Sequence, residues 1–182
     1  MRIIGGKHRG RTLKEFPGNA IRPTSDRARE SLFNILQNKV PGCVFLDLFC
    51  GTGGVGIEAL SRGAEEVWFS DAAKESVALT KSNLALVKES AEVFLGDALQ
   101  ILQKAATHGK KFDVIFLDPP YASDVGEKAL SEIRRLGLLT DGGVAVYEHG
   151  GREPVSALCH YDRRKYGVAV FDFYRRPKED DL

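Results

Sequence analysis

The stretch FDVIFLDPPYASD, residues 112–124, runs from an apolar segment into an acid, two prolines and an aromatic ring. Proline donates no backbone hydrogen bond and ends sheet ladders, so Asp118, Pro119, Pro120 and Tyr121 read at least as a strand end at the lip of a crevice. Their order also suits one reaction. An exocyclic amine on a nucleobase is a poor nucleophile because its lone pair is delocalised into the ring. The Asp118 carboxylate and the Pro119 carbonyl would accept its two N–H bonds and turn the lone pair toward an incoming methyl group. Positive charge grows on the amine as it attacks, and an adjacent carboxylate stabilises that transition state more than the ground state. The prolines keep the turn stiff, and the Tyr121 ring offers a stacking surface worth about 1–3 kcal/mol to an extruded base.

A second group of residues lies upstream, in LDLFCGTGGVGIEAL, where Gly51, Gly53 and Gly56 satisfy GxGxxG between an apolar run and a helical pattern. Glycines there let a backbone approach a ligand at a helix N-terminus. Dinucleotide-binding chains share the motif, but Asp47 at the tip of the same run would repel a pyrophosphate. S-adenosylmethionine brings an ammonium and a sulfonium, both cationic, and makes that acid attractive. Asp71 ends the next apolar run and suits two ribose hydroxyls, and Asp97 ends the third and suits an adenine amino group. Asp71 and Asp97 each stand where a helix N-cap would also be expected.

These residues need a scaffold that brings strand ends together. Apolar runs at 43–49, 66–71, 91–97, 112–118 and 143–149 alternate with helical patterns near 54–62, 73–88, 98–107 and 124–136, the rhythm of a doubly wound parallel sheet. Toward the C-terminus, HYDRRKYGVAVFDFYRR alternates apolar and polar residues about Tyr166-Gly167 and predicts two strands joined by a tight turn. At the other end, RIIGGKHRGRTL predicts a basic hairpin turning at residues 7–10, followed by a helix from about Thr24 with Ala28, Leu32, Ile35 and Leu36 on one face.

The 182 residues, 43% of them hydrophobic, suffice for one well-filled core. The formal net charge is +1, with 26 basic and 25 acidic residues, which favours neither a nucleic acid nor a membrane. The first thirty residues nevertheless hold eight bases against three acids. Cys43, Cys50 and Cys159 have neither disulfide nor zinc spacing, and no metal site is suggested. His8, His108, His149 and His160 are scattered and read as surface or loop residues. No apolar run approaches the ~18 residues of a membrane span, so a soluble cytoplasmic protein without a membrane partner is expected.

DPPY together with LDLFCGTGGVGIEAL resembles the amino-methylating class of Rossmann-like methyltransferases. RIIGGKHRGRTL followed by RPTSDRARESLFNIL resembles more narrowly the bacterial RsmD-like enzymes that methylate N2 of a guanine in 16S ribosomal RNA. The likeness runs from Arg2 to about Tyr174. It implies an α/β fold with a Rossmann-like, seven-stranded, mostly parallel sheet and an antiparallel C-terminal strand, helices on both faces, and a small N-terminal β-hairpin and helix. It also implies an extension over 1–40 that contacts RNA, and a methyltransferase domain over 41–182. The implied cofactor is S-adenosylmethionine, and the implied partner is 16S rRNA, at guanine 966, within the small ribosomal subunit or its late precursor, met by a monomer. Carried over by motif, Asp47, Gly51, Gly53 and Gly56 would line the methionine end of the cofactor, Asp71 its ribose and Asp97 its adenine. Asp118, Pro119, Pro120 and Tyr121 would face the base. Independently of the likeness, the excess of bases over acids at the N-terminus reads as a phosphate-contacting arm, with Arg2, Lys7, Arg9, Arg11 and Arg22 on the RNA. Relatives often carry a Glu and a second acid at the tip of the second strand, whereas FSDAAK leaves only Asp71. A DNA adenine or cytosine amino-methyltransferase, a non-catalytic RNA-binding assembly factor and a dinucleotide oxidoreductase are the competing readings.

Overall fold

Seven strands form one sheet in the order β3-β2-β1-β4-β5-β7-β6. The computed structural model describes residues 1–18, 24–150 and 158–177, so Arg22 lies outside the described residues. The strands are β1 (Val44–Asp47), β2 (Glu66–Asp71), β3 (Glu92–Leu95), β4 (Phe112–Leu117), β5 (Leu139–His149), β6 (Cys159–Tyr166) and β7 (Ala169–Arg175). All neighbours through β5 are parallel, and β7 runs antiparallel to both β5 and β6. The β6–β7 turn contains Gly167 at φ 62°, a left-handed conformation that costs glycine nothing. The chain order reverses between β1 and β4, the switch point at which open α/β sheets leave a crevice.

Five helices cover the sheet: α1 (Asp26–Ile35), α2 (Gly54–Ser61), α3 (Lys74–Val87), α4 (Ala98–Thr107) and α5 (Val125–Arg135). Residues of α1, α2 and α3 join Phe45, Phe69, Phe116 and Val146 in one core, while α4 and α5 join Leu46, Ile115 and Tyr147 in the other. Alternation of side chains along each strand separates the two sets. Ser25 caps α1 by accepting from the Ala28 N–H at 3.2 Å. On that helix Ala28, Leu32 and Leu36 are buried as the spacing predicts, but Ile35 is exposed and Phe33 takes its place inside. Among the described residues no helix is long and apolar enough to cross a membrane.

The N-terminal segment closes as the expected hairpin: Arg2 bridges Thr12, the Ile3 N–H donates to the Arg11 carbonyl, the Gly10 N–H to the Ile3 carbonyl and the Leu13 N–H to the Met1 carbonyl. The chain between its legs also bonds to α2. The Ile4 and Gly5 N–H groups donate to Glu58 on α2, and those of Lys7 and His8 donate to Ser61. Ile3 and Leu13 are buried in the first core beside Val55 and Phe33. One histidine differs from expectation: His149 is buried on β5 with Nε2 2.7 Å from Asp172, whereas His8 stands in the hairpin turn, 2.7 Å from Glu89. A histidine that meets a carboxylate is satisfied inside a fold, and isolated spacing along the chain gives no sign of it.

Candidate active site

Four adjacent strands each carry an acid at or beside the C-terminal end, all on the same face of the sheet. Asp47 shares a face with Phe45, Asp71 with Phe69, Asp118 with Phe116 and Glu148 with Val146, and those four apolar residues all belong to the first core. Asp47 pairs in register with Phe69 and with Phe116, and Phe116 pairs with Val146. Asp47 therefore sits one pleat deeper than the other three acids. The row was three-quarters visible in the sequence; Glu148 was missed, although YEH repeats the pattern of an apolar run ending in an acid.

A cleft of about 780 Å³ opens over Asp47, Asp71 and Asp118 of this row, within the usual size range of small-molecule sites. Asp47, Gly51, Asp71, Asp97, Asp118, Pro119, Pro120 and Tyr121 all line it. Gly53 and Gly56 do not, and their work is structural. Gly53 adopts φ 80° at the start of α2, and a Cβ there would meet Thr80 Cγ2 at 2.9 Å. A Cβ on Gly56 would meet the Phe69 ring at 2.2 Å, so this glycine brings α2 down onto β2. The same residue's N–H donates to Asp47 Oδ2 at 2.9 Å.

Asp71 is fixed by two backbone donors, Gly51 N–H to Oδ2 and Ala73 N–H to Oδ1, each at 2.9 Å. Its carboxylate ties the glycine loop to the start of α3, and each oxygen keeps a further lone pair for a ligand. Asp97 caps α4, accepting from the Gln100 N–H at 2.9 Å, which leaves its other oxygen at the cleft. The N-cap expectation is met at Asp97 and not at Asp71, since α3 is capped at Ala73 and Asp71 stands two residues before it. The cleft also contains Arg29, buried with Nη2 donating to the Arg2 carbonyl and to Asp26. Burial lowers its pKa, against the opposing pull of Glu58 and Asp26. Sequence reasoning counted Arg29 only as one more base of the N-terminal segment.

The electrostatics of the row favour a cation. Burial, partly offset by the Gly56 N–H, pushes the Asp47 carboxyl up to about 7. Burial, then Glu148, then Asp47 raise Asp118 well above the usual carboxylate range. Burial also raises Glu148, partly offset by the Thr24 hydroxyl that donates to its Oε2 at 2.5 Å. A sulfonium or ammonium in the cleft would favour the charged forms of Asp47 and Asp118, whereas a pyrophosphate there would disfavour them further.

The ligand-free protein should accordingly lose stability as pH rises. A carboxyl whose folded pKa lies above its unfolded value holds a proton in the fold that the unfolded chain has lost, so stability falls between roughly pH 4 and pH 7. Each unit of upward shift is worth about 1.4 kcal/mol. Thermal melts of the wild type should fall over this window, and Asp47→Asn should flatten the fall; parallel curves for the two proteins would remove Asp47 from this role.

A Rossmann-like sheet whose strand ends carry an acid row, a glycine turn and a DPPY corner defines the methyltransferase class of α/β folds. Residues 1–175 match the family described as Conserved hypothetical protein 95, and the chain belongs to that family of RsmD-like proteins. Ribosomal RNA small subunit methyltransferase D of Escherichia coli K12 is 32% identical over 186 residues, covering all of this chain and 92% of the relative. The protein of the same name from Haemophilus influenzae is 41% identical over 134 residues, 72% of this chain and 69% of the relative. Among solved structures, a hypothetical protein of Thermus thermophilus superposes with a TM-score of 0.85 at 35% identity, covering 96% of this chain and 98% of that one.

Proposed function

We propose that this protein methylates the N2 exocyclic amine of a guanine in 16S ribosomal RNA, using S-adenosylmethionine, on the small ribosomal subunit or its late precursor. The observation that carries this reading is the juxtaposition of Asp118 and the Pro119-Pro120-Tyr121 turn with a carboxylate-lined cleft suited to a cationic nucleoside. The names of the Escherichia coli and Haemophilus influenzae relatives support small-subunit rRNA as the substrate.

Bound S-adenosylmethionine supplies an electrophilic methyl group. Asp47 and Gly51 would hold its methionine end, Asp71 its ribose and Asp97 its adenine, with Gly53 and Gly56 shaping the turn. Asp118 and the Pro119 carbonyl would accept the two amine N–H bonds, orienting the nitrogen lone pair and stabilising the charge that develops there. Tyr121, 66% exposed at the mouth of the cleft, provides a ring on which the extruded base stacks.

The segment 1–40 would dock the RNA in this reading, with the protein acting as a monomer in the cytoplasm. Arg2, Arg9 and Arg11 are exposed, and Lys7 is exposed even while it pairs with Glu89 at 2.5 Å. Labelled methyl should enter N2-methylguanosine when small-subunit particles are the acceptor and should not enter duplex DNA. Transfer to DNA adenine or cytosine, or to no acceptor, would overturn the reading. The combined variant Lys7→Ala/Arg9→Ala/Arg11→Ala should weaken particle binding and make its logarithmic salt dependence shallower by about 2, from the counterions no longer released. An unchanged midpoint and slope would place docking elsewhere.

A further inference from the structure

A second cleft, of about 770 Å³, lies on the far side of the DPPY corner and shares Pro119, Pro120 and Tyr121 with the first. Its inner wall includes Glu148, only 3% exposed. Leu117 pairs with Tyr147 in the β4–β5 register, so the next residues, Asp118 and Glu148, are neighbours on adjacent strands and share a face. The two carboxylates repel each other. Glu148 is held from one side, because the Thr24 hydroxyl donates to its Oε2 at 2.5 Å. Its other oxygen makes no hydrogen bond to any described residue, and it is not sealed from solvent. A neighbouring pair of acceptors at the junction of two clefts, one oxygen anchored and one open, is built to meet a neighbouring pair of donors.

We propose that Glu148 is a specificity-determining residue that accepts the N1–H of the target base while Asp118 accepts from the adjacent exocyclic amine. This rests on the amine-methylation reading above and adds the rule by which the base is chosen. Guanine presents N1–H and N2–H side by side on its Watson–Crick edge. Adenine places an acceptor at N1 beside its amine, and cytosine an acceptor at N3, so each would set a lone pair against the Glu148 carboxylate. Bases drawn out of a stack are commonly read on this edge, and a site built to bond a donor rejects an analogue that lacks it. The acid thus selects against the DNA bases that a DPPY corner alone would accept.

The test compares small-subunit particles carrying guanine or 2-aminopurine at the target nucleotide, since 2-aminopurine keeps the exocyclic amine but has an acceptor at N1. The wild type should prefer guanine by about 10- to 100-fold in kcat/KM, the range of one well-placed hydrogen-bonded discrimination. Glu148→Gln, whose amide can donate to the N1 acceptor, should shrink that preference at least about tenfold, with S-adenosylmethionine affinity by calorimetry and the melting temperature near wild type. Glu148→Asp, still a carboxylate, should slow transfer and keep the preference. A ratio that does not move in Glu148→Gln, however much the rate falls, overturns the proposal, because a merely structural residue would lower both substrates together. A wild type that methylates both bases equally overturns it without any variant. A wild type that methylates neither refutes the amine-methylation reading itself, and this proposal with it.

Discussion

Asp118→Ala should lower methyl transfer by at least about a hundred- to a thousandfold, the usual loss when one preorganised group is removed from the place where charge develops, while S-adenosylmethionine affinity stays near wild type. Asp118 is proposed to act on the amine and not on the cofactor, so its removal should reduce kcat and kcat/KM together. The same substitution has an opposite signature in stability. Burial, Glu148 and Asp47 all raise the Asp118 carboxyl, so its charged form is a burden on the fold above neutral pH, and the alanine variant should melt no lower than wild type at about pH 8. Asp118→Asn keeps one acceptor oxygen and loses the charge, and should fall between the two. Single-turnover transfer to small-subunit particles, with melting curves in parallel, separates these effects. Activity within a few-fold of wild type would remove Asp118 from the chemistry, and a collapse in melting temperature would make it structural.

Much of this site could be read from the chain because strand ends announce themselves. Asp47, Asp71 and Asp118 each follow a short apolar run, and in a parallel sheet those ends converge on one edge whatever the strand order. Glu148 follows the same kind of run. What the sequence could not supply was the order β1-β4-β5, which makes Glu148 the neighbour of Asp118, or the parity that puts both on one face. The glycines show the opposite limit. GxGxxG marks a tight turn correctly, but only packing reveals that Gly56 faces Phe69 and not the cleft. His149 was misread for a related reason, since its partner Asp172 is 23 residues away on β7. The N-terminal hairpin itself was legible from its glycines, and its legs close through Ile3, Gly10 and Leu13. Its docking onto α2 was not, because that depends on Ser61 and on Glu58, two places beyond the last glycine of the motif.

Glu58 is fully buried, and among the described residues its side chain bonds to the N-terminal segment, to Arg29 and to Arg62. Oε1 accepts from the Gly5 N–H at 2.8 Å and from Arg62 Nε at 2.9 Å, and Oε2 accepts from the Ile4 N–H at 2.9 Å. Arg29 Nε lies 3.6 Å away, beyond hydrogen-bond reach but within ion-pair range. Removing the carboxylate leaves two backbone donors and the Arg62 Nε–H without their acceptor and takes from the buried Arg29 one of its two ion-pair partners, so Glu58→Ala should destabilise the protein by about 3–5 kcal/mol, the usual cost of breaking a buried ionic contact from one side. At about 2–4 °C per kcal/mol for a domain of this size, the melting temperature should fall by roughly 6–20 °C. The consequence should reach function, because Met1 and Arg29 line the same cleft as Asp47 and both are placed by the segment that Glu58 fastens. Amide exchange should therefore accelerate at Ile4, Gly5 and Lys7 before the sheet opens, and S-adenosylmethionine affinity should fall although Glu58 does not line the cleft. A variant that melts within about 2 °C of wild type with unchanged exchange at those amides would show that the buried core around Ile3 and Leu13 holds the arm without the carboxylate, and that the glutamate after the glycine turn serves some other end.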